Sequence, residues 1–405
     1  MKRKLLVIFT AILCCGLSYG QTLKTGVLVI GNGSNALGAG LQSAMSGVKT
    51  TLLLEGEDFE LSLMDPGHQS LASGLELRLL NKLRTDRGIK GSASLDHIDP
   101  QKANAIIKDW VDSTKNLTII RKVVWSKLKR SGAGWTVQLN NGQNIKAAML
   151  VYAAVPGKLK ELLSLNQLPG LQWKALDYQN LSYRTSLSSG FVDRMSGVNL
   201  LSLYDLLIPG QESLVWLNPE QESIAGGQAA GATAAYPVFF KLKARTPNLK
   251  AIQNELMNYR LSLVPFVDVN PTDSNWKAVQ FIGISGFLKG VLVGSELKFN
   301  PEQKVSTLEI KTPIKDFFYK AQIWFDDYTA AEMTIGSSLD LVCKVGNKAP
   351  VTTLAEVKKR WKTQYHFNTE FDLERPITRR EFAVLLQEYL NPFNVNIDPT
   401  GRVIR

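Results

Sequence analysis

The stretch GVLVIGNGSNALGAGLQSAMSGVKTTLLLEG, residues 26–56, holds two apolar runs separated by a segment rich in glycine, alanine and serine. The runs GVLVI and TTLLLE are apolar without alternation, which is typical of strands buried in a parallel sheet. The small residues between them predict a helix over 35–46 that can lie close to the sheet. Together these segments predict a β-α-β unit with a right-handed crossover.

The turn between the first strand and the helix carries the pattern of a phosphate-binding loop. Gly31 permits a tight turn, Gly33 lets the backbone approach a diphosphate, and Ala36 stands where the third small residue is expected. The helix N-terminus offers unpaired N–H groups and a partial positive charge. Glu55 ends the second strand, one residue later than usual, and is placed to bind an adenosine ribose. The pattern predicts nucleotide binding; the alternative is a tight β-α turn without a ligand.

A second glycine pair lies far along the chain, in GGQAAG at 226–231. Glycines that open a small-residue helix predict either an anion or carbonyl site at the helix N-terminus or simple helix packing. Pro237 predicts a kink or break in this helix.

Local signals predict further elements between these two segments. Asp99 followed by Pro100 predicts the capped start of a helix with an apolar stripe. Residues 117–130 and 134–139 are expected to form strands, and Asn141-Gly142 suits a type I′ hairpin turn. The run AAMLVYAA predicts another buried strand that ends before Pro156.

Residues 29–55, residues 99–154 and the segment GGQAAGATAA together resemble bacterial FAD-dependent oxidoreductases of the glutathione-reductase-like superfamily. The nearest branch is an exported one that carries the label "xanthan lyase". The resemblance implies an α/β fold, with a Rossmann-like FAD-binding domain over 21–245 and a short inserted substrate portion at 157–210. The cofactor-binding residues that it implies are Gly31, Asn32, Gly33, Ser34, Asn35, Ala36, Glu55, Val123, Ala154, Gly227, Gln228 and Ala229.

The resemblance also assigns a role to several of these positions. Glu55 would bind the ribose, the backbone near Val123 would face the adenine, and Gly227 with Gln228 would lie beside the flavin pyrimidine ring. This sequence departs from the family pattern at two places that bear on whether the protein can catalyse a reaction. The family's glycine pair after the ribose glutamate is replaced by GEDFELSLMDPGHQS, and its Ala-Thr-Gly-Asp/Glu motif is replaced by residues 153–156, Ala-Ala-Val-Pro. The sequence indicates no particular catalytic residue.

The composition changes near Thr246-Pro247, and residues 246–405 resemble the mainly helical S-layer-homology-like region of some family members. Two loosely related blocks, residues 266–318 and 352–390, each lead through turn residues into an amphipathic helix. In the second block, Thr378 and Glu381 form a capping-box pattern. This region is expected either to bind a cell-envelope polysaccharide or to dock on the FAD-binding domain.

Residues 1–20 have the basic start, apolar run and small-residue end of a secretory signal peptide. We therefore expect an exported protein, periplasmic or extracellular, whose mature chain has no integral membrane segment. The formal net charge of +11 falls to +8 without the signal, and its scattered lysines and arginines do not predict nucleic-acid binding. Three distant histidines, His68, His97 and His366, do not predict a metal site.

The sequence thus predicts an exported FAD-dependent oxidoreductase that acts on a small molecule or saccharide. The alternative is a non-catalytic cell-envelope or polysaccharide-binding protein with a degenerate nucleotide-binding fold.

Overall fold

The computed structural model describes residues 22–62, 66–91, 93–165, 167–190, 198–242, 247–294 and 296–404. The predicted signal peptide, residues 1–20, lies outside the described residues. The strands are β1 (Leu23–Ile30), β2 (Thr50–Leu53), β3 (Leu117–Ile120), β4 (Trp125–Ser131), β5 (Gly134–Leu139), β6 (Asn144–Tyr152), β7 (Trp173–Ala175), β8 (Ser186–Gly190), β9 (Asn199–Ser202), β10 (Leu214–Trp216), β11 (Val291–Val293) and β12 (Glu296–Lys298). The α-helices are α1 (Ser34–Met45), α2 (Gly74–Asp86), α3 (Pro100–Ser113), α4 (Gly157–Leu163), α5 (Ile224–Phe239), α6 (Leu249–Asn258), α7 (Trp276–Ser285), α8 (Thr307–Phe317), α9 (Tyr319–Asp327), α10 (Ile335–Gly346), α11 (Pro350–Thr363) and α12 (Arg379–Tyr389).

The main sheet has seven strands in the order β3-β2-β1-β6-β5-β4, with β10 also paired to β6. β3, β2, β1, β6 and β10 run parallel, while β4, β5 and β6 form an antiparallel meander. The first half of β6 pairs with β5 and its last three residues pair with β10. The predicted β-α-β unit and the Rossmann-like α/β fold are therefore confirmed.

The small-residue helices α1 and α5 pack backbone against backbone beside the sheet. A Cβ placed on Gly227 would lie 2.1 Å from the carbonyl oxygen of Asn35, and one on Gly38 would lie 2.3 Å from that of Ile224. Glycine is required at both positions because the two helix backbones leave no room for a side chain. Pro237 lies in the last turn of α5, which ends two residues later.

Two local predictions can be compared directly with the structure. Asp99 caps α3 as expected, because its carboxylate accepts hydrogen bonds from the N–H groups of Gln101 and Lys102. A hairpin turn joins β5 and β6, but the predicted type I′ turn is wrong. Gly142 has a positive φ of 82° whereas Asn141 does not, and a type I′ turn needs both.

A small antiparallel sheet, β7-β9-β8, lies within the segment predicted as the substrate portion. The C-terminal module, formed by α7 to α12, packs against this sheet. One apolar core contains Tyr183, Leu200 and Met257 together with side chains of the C-terminal helices. The C-terminal tail returns to the α/β part, where Ile397 packs in the apolar core. The Gly401 carbonyl accepts a hydrogen bond of 3.1 Å from the Arg184 side chain. α6, which follows the predicted boundary at 245, also packs in the α/β core.

The C-terminal module contains three equivalent units, whereas the sequence suggested two. The Val305 N–H donates to the Ile377 carbonyl, the Ile377 N–H to the Met333 carbonyl, and the Met333 N–H to the Val305 carbonyl. Each of these buried residues precedes the N-cap of a helix, respectively α8, α12 and α10. The predicted capping box of Thr378 and Glu381 is confirmed at α12. The sequence does not reveal the middle unit, around Thr334, because this unit lacks a charged capping residue like Glu381 in the third unit.

Candidate functional site

A cavity of about 450 Å³ opens at the carboxyl ends of β1, β2 and β6. This is the edge at which open α/β sheets bind ligands, and the volume is in the usual range for small-molecule sites. The cavity is lined by Ile30, Gly31, Asn32, Gly33, Leu53, Glu55, Glu60, Trp125, Tyr152, Ala153, Ala154, Val155, Gly157, Lys158, Pro219 and Glu222.

The turn after β1 is held in place by Asn32. Its side-chain oxygen accepts a hydrogen bond of 2.9 Å from the Glu55 N–H, and its carbonyl accepts one of 2.9 Å from the Glu60 N–H. Gly31 is needed here because a Cβ would lie 2.5 Å from the Ala153 carbonyl oxygen. Asn32 thus ties the ends of β1 and β2 together and sets Glu55, which is exposed, at the rim of the cavity.

The N-terminus of α1 is occupied by a carboxylate from the chain itself. Glu222 Oε2 accepts a hydrogen bond of 2.6 Å from the Asn35 N–H. The same carboxylate lies over Gly33, where a Cβ would be 2.5 Å from its Cδ atom. A helix N-terminus attracts anions through its free N–H groups and dipole, and here the anion is a side chain from 187 residues away.

The charge of Glu222 is only partly stabilised at this position. Burial raises the pKa of Glu222 to about 7, the Asn35 N–H opposes this rise, and the nearby negative charge of Glu60 adds to it. Glu222 therefore changes its protonation state near neutral pH. Sequence reasoning missed this residue because a single glutamate before a helix start gives no signal of its distant partner.

Two chain segments cover the rest of the first turn of α1. The Ser34 hydroxyl donates to the Ser62 carbonyl at 2.8 Å and accepts from the Ser62 N–H at 2.9 Å. The Asn35 amide donates to the carbonyls of Asn218 and Gln221 and accepts from the Ser223 N–H. Ser34 and Asn35 are both fully buried. The side of the helix start that leads towards α5 is therefore filled by the protein itself.

Aromatic side chains form the opposite wall of the cavity. The Tyr152 ring stacks on Trp216 and meets Trp125 edge to face, while the Lys158 ammonium lies 4.3 Å from the Trp125 ring centroid. Burial, followed by the charge of Glu55, raises the pKa of Tyr152 to about 12. Tyr152 therefore stays protonated at neutral pH. The cavity has three glutamates, Glu55, Glu60 and Glu222, and one lysine among its lining residues.

The structure brings only some of the predicted site residues together. Gly31, Asn32, Gly33, Glu55 and Ala154 line the cavity. Ser34, Asn35 and Ala36 are buried in the first turn of α1. Val123 is buried next to the sheet edge, and its N–H is bound to the Leu54 carbonyl at 3.3 Å.

The remaining three predicted residues, Gly227, Gln228 and Ala229, lie inside α5 at its contact with α1. The Gln228 side chain accepts from the Leu75 N–H and donates to the Gln42 side chain, each at 2.9 Å. Gln228 is fully buried, and none of the three residues lines the cavity. Of the two interpretations of this glycine-rich segment, an anion or carbonyl site and simple helix packing, the second fits where these three residues lie.

FAD does not fit this arrangement. Its diphosphate would have to displace the Glu222 carboxylate from the Asn35 N–H. Its flavin half would have to pass the hydrogen-bonded segments at Ser62 and at residues 218–223. The net negative lining of the cavity further opposes a diphosphate, since like charges repel.

Other kinds of site are not evident in the described residues. Within them there is no group of three or more His, Cys, Asp or Glu side chains placed to bind a metal ion. No helix of the described segments is long and apolar enough to cross a membrane. A second cavity of about 390 Å³ in the C-terminal module has Arg380 in its lining, but this arginine is already paired with Asp273 and Glu302 at 2.7 and 2.8 Å.

The sheet order, the glycine turn after β1 and the helix that follows this turn define an α/β protein with a Rossmann-like fold. A p-nitrophenol 4-monooxygenase from Pseudomonas putida matches over 58% of this chain and 84% of its own, at 11% identity and a TM-score of 0.33. A thioredoxin reductase from T. acidophilum matches over 32% of this chain and 34% of its own, at 15% identity and a TM-score of 0.21. GidA of Aquifex aeolicus matches over 32% of this chain and 24% of its own, at 18% identity and a TM-score of 0.26. This chain therefore spans about a quarter of that protein.

No protein-family model matches the chain, and no curated protein does. The resemblance to an exported "xanthan lyase" branch and to S-layer-homology segments therefore gains no support from these comparisons.

Proposed function

We propose that this is an exported, non-catalytic protein that keeps the FAD-oxidoreductase fold as a scaffold and does not bind FAD. The observation that carries the proposal is the Glu222 carboxylate, which binds the Asn35 N–H and covers Gly33 where a diphosphate would lie. The burial of Gly227 and Gln228 of α5 at its contact with α1 supports it, because a flavin-binding role would require these residues to face the flavin. Export is proposed from the signal-like pattern of residues 1–20 alone.

The visible spectrum of the purified full chain tests this proposal. We expect a colourless protein without flavin absorbance, and no saturable binding of FAD at concentrations up to about 100 μM, where a binding free energy near −5.5 kcal/mol would be detected. A stoichiometric yellow flavin in the purified protein, or FAD binding in the low micromolar range, would overturn the proposal.

Substitution of Glu222 shows whether this carboxylate closes the site. Glu222→Ala removes the internal anion from the α1 N-terminus, and we expect ADP, as a probe for the diphosphate, to bind at least about tenfold more tightly than to the wild type. Glu220→Ala is the matched control because Glu220 is an exposed glutamate two residues away and does not line the cavity. Calorimetric titration of the three proteins gives the comparison.

An FAD-dependent oxidoreductase acting on a small molecule or saccharide is the second candidate. It is favoured by the position of Gly31, Gly33 and Glu55 around a cavity at the correct edge of the sheet. It requires Glu222 to leave the helix start when the cofactor binds. The spectrum of the wild-type protein separates the two functions, since only the second predicts bound flavin.

A further inference from the structure

Two phenylalanines are presented together at the C-terminal end of α5. Phe239 and Phe240 expose 56% and 57% of their surface, and their ring centroids are 5.1 Å apart. The helix ends here because Lys241 takes a left-handed φ of 52°, and the Leu242 N–H returns to the Pro237 carbonyl. The two rings therefore lie together on the surface where the helix ends.

The surroundings of the phenylalanines extend the apolar surface. A groove of about 260 Å³ runs beside them between α5 and α6 and is lined by Ala232, Tyr236 and Ile252 among others. On the other side, the Phe239 ring contacts Gly47, with Cε2 3.2 Å from the position of a Cβ there. Aromatic surface of this kind is favourable at the boundary between water and lipid headgroups.

Exposed lysines also lie at this edge of the molecule, at the amino ends of the parallel strands. Lys24 of β1 lies directly opposite Lys146 of β6, and the Gly26 N–H binds the Lys49 carbonyl beside them. Lys115 precedes β3, and Lys241 follows α5. In the part of the chain that the structure describes, none of these five lysines forms an ion pair. Unpaired lysines around exposed aromatic rings match the charge and polarity of an anionic membrane surface.

During export, before the predicted signal peptide is removed, the connection of the chain also brings this edge close to a membrane. The apolar run of residues 5–17 is joined to Leu23 by only five residues, which span at most about 20 Å. While that run is held in a bilayer, the amino end of β1 must lie near the bilayer surface. β1 begins at the same edge as the lysines and the two phenylalanines.

We propose that this lysine–phenylalanine edge, formed by Lys24, Lys49, Lys115, Lys146, Phe239, Phe240 and Lys241, binds the surface of an anionic lipid bilayer. Phe239 and Phe240 enter the headgroup region, and the lysines contact the lipid phosphates. This inference is independent of the proposed function, because it concerns the edge opposite the cavity and holds whether or not FAD binds.

Vesicle flotation with the mature chain, which begins after the predicted signal peptide at Gln21, tests the proposal. We expect binding to vesicles with about 30% phosphatidylglycerol to exceed binding to pure phosphatidylcholine by at least about tenfold. Binding is expected to weaken when salt is raised from about 50 mM to about 500 mM, because the lysine contacts are screened.

Two variants and two matched controls locate the contact. The double variant Phe239→Ser/Phe240→Ser is expected to lower partitioning by about tenfold or more. The triple variant Lys24→Gln/Lys49→Gln/Lys146→Gln is expected to lose about fivefold per lysine on anionic vesicles only. The controls are Ile323→Ser/Val351→Ser and Lys348→Gln/Lys358→Gln/Lys359→Gln, which change exposed residues of the C-terminal module. Circular dichroism confirms that each variant is folded.

Equal binding of the edge variants and the controls would overturn the proposal, as would equal binding to neutral and anionic vesicles. A self-associated protein at micromolar concentration without vesicles, which becomes monomeric in the Phe239→Ser/Phe240→Ser variant, would also overturn it. In that case the edge contacts a second copy of the chain. Sedimentation velocity makes this measurement.

Discussion

At the scale of single residues, two partly buried ionisable side chains are expected to influence how stability depends on pH. Glu222 has a pKa raised to about 7 by burial and by Glu60. Lys250 has a pKa lowered to about 7 by burial and by the neighbouring charge of Arg184, and its ammonium lies 4.9 Å from the Phe393 ring centroid. Both groups are shifted towards their neutral forms, as expected for charges removed from water.

The two shifts predict a minimum of stability near pH 7. Between pH 4.5 and 7 the folded protein holds the proton of Glu222 more tightly than the unfolded chain, so stability falls as the pH rises. Between pH 7 and 10.5 the unfolded chain holds the proton of Lys250 more tightly, so stability rises with pH. The contribution of Glu222 is at most about 3 kcal/mol and is reduced by its remaining contact with solvent.

Urea unfolding from pH 5 to 9.5 checks this minimum. Glu222→Gln is expected to remove most of the fall on the acid side, and Lys250→Met most of the rise on the alkaline side. A wild-type protein whose free energy of unfolding is highest at pH 7 would contradict the prediction. So would a Glu222→Gln variant with an unchanged slope.

At the scale of elements, the contact between α1 and α5 determines whether the α/β layer forms. Gly227→Ala places a methyl group 2.1 Å from the Asn35 carbonyl oxygen, so the two helices must separate. We expect a loss of about 3 kcal/mol or more in the free energy of unfolding. Gly157→Ala in α4 is the control, because no heavy atom lies within 4 Å of its added Cβ, and its effect should be within about 1 kcal/mol of zero.

Chemical denaturation followed by circular dichroism gives both values. If Gly227→Ala and Gly157→Ala had equal effects, the close packing of α1 and α5 would be disproved. A yellow, FAD-loaded protein in which Gly227→Ala abolishes only the colour would instead assign Gly227 to the cofactor site.

The elements also show which features a sequence can predict. Asp99 and Thr378 were identified as caps because their partners lie two or three residues away, so the whole interaction is visible in a short window. The β1-α1-β2 unit was visible from the apolar runs and the small residues between them. The closure of the site by Glu222 was not, because its contact with Asn35 joins residues 187 positions apart. Gly227 gave an ambiguous pattern, since a glycine needed by a neighbouring helix looks the same as one needed by a ligand.

At the scale of the whole molecule, the C-terminal tail joins the two parts of the fold. Ile397 is 7% exposed and packs in the core of the α/β part, whereas Ile404 is 57% exposed. Arg184 adds a hydrogen bond to the Gly401 carbonyl. The α/β part and the C-terminal module are therefore expected to unfold together.

A pair of isoleucine substitutions tests this coupling. Ile397→Ser removes a buried side chain and is expected to cost about 3 kcal/mol, while Ile404→Ser should change stability by less than about 0.5 kcal/mol. Hydrogen exchange followed by mass spectrometry compares peptides from α1 and α12. In the Ile397→Ser protein we expect both peptides to exchange faster. Faster exchange in only one of them would contradict joint unfolding.

The distance along the chain between α1 and α5 has a consequence for biosynthesis. The face of α1 that receives α5 stays uncovered until about 190 further residues have been made, because Asn35 contacts Ser223 and Gly227. Such late pairing slows folding and leaves apolar surface available for aggregation in the growing chain. The nascent protein would remain open long enough to be held by a chaperone or threaded through a translocation channel before its first helix is covered.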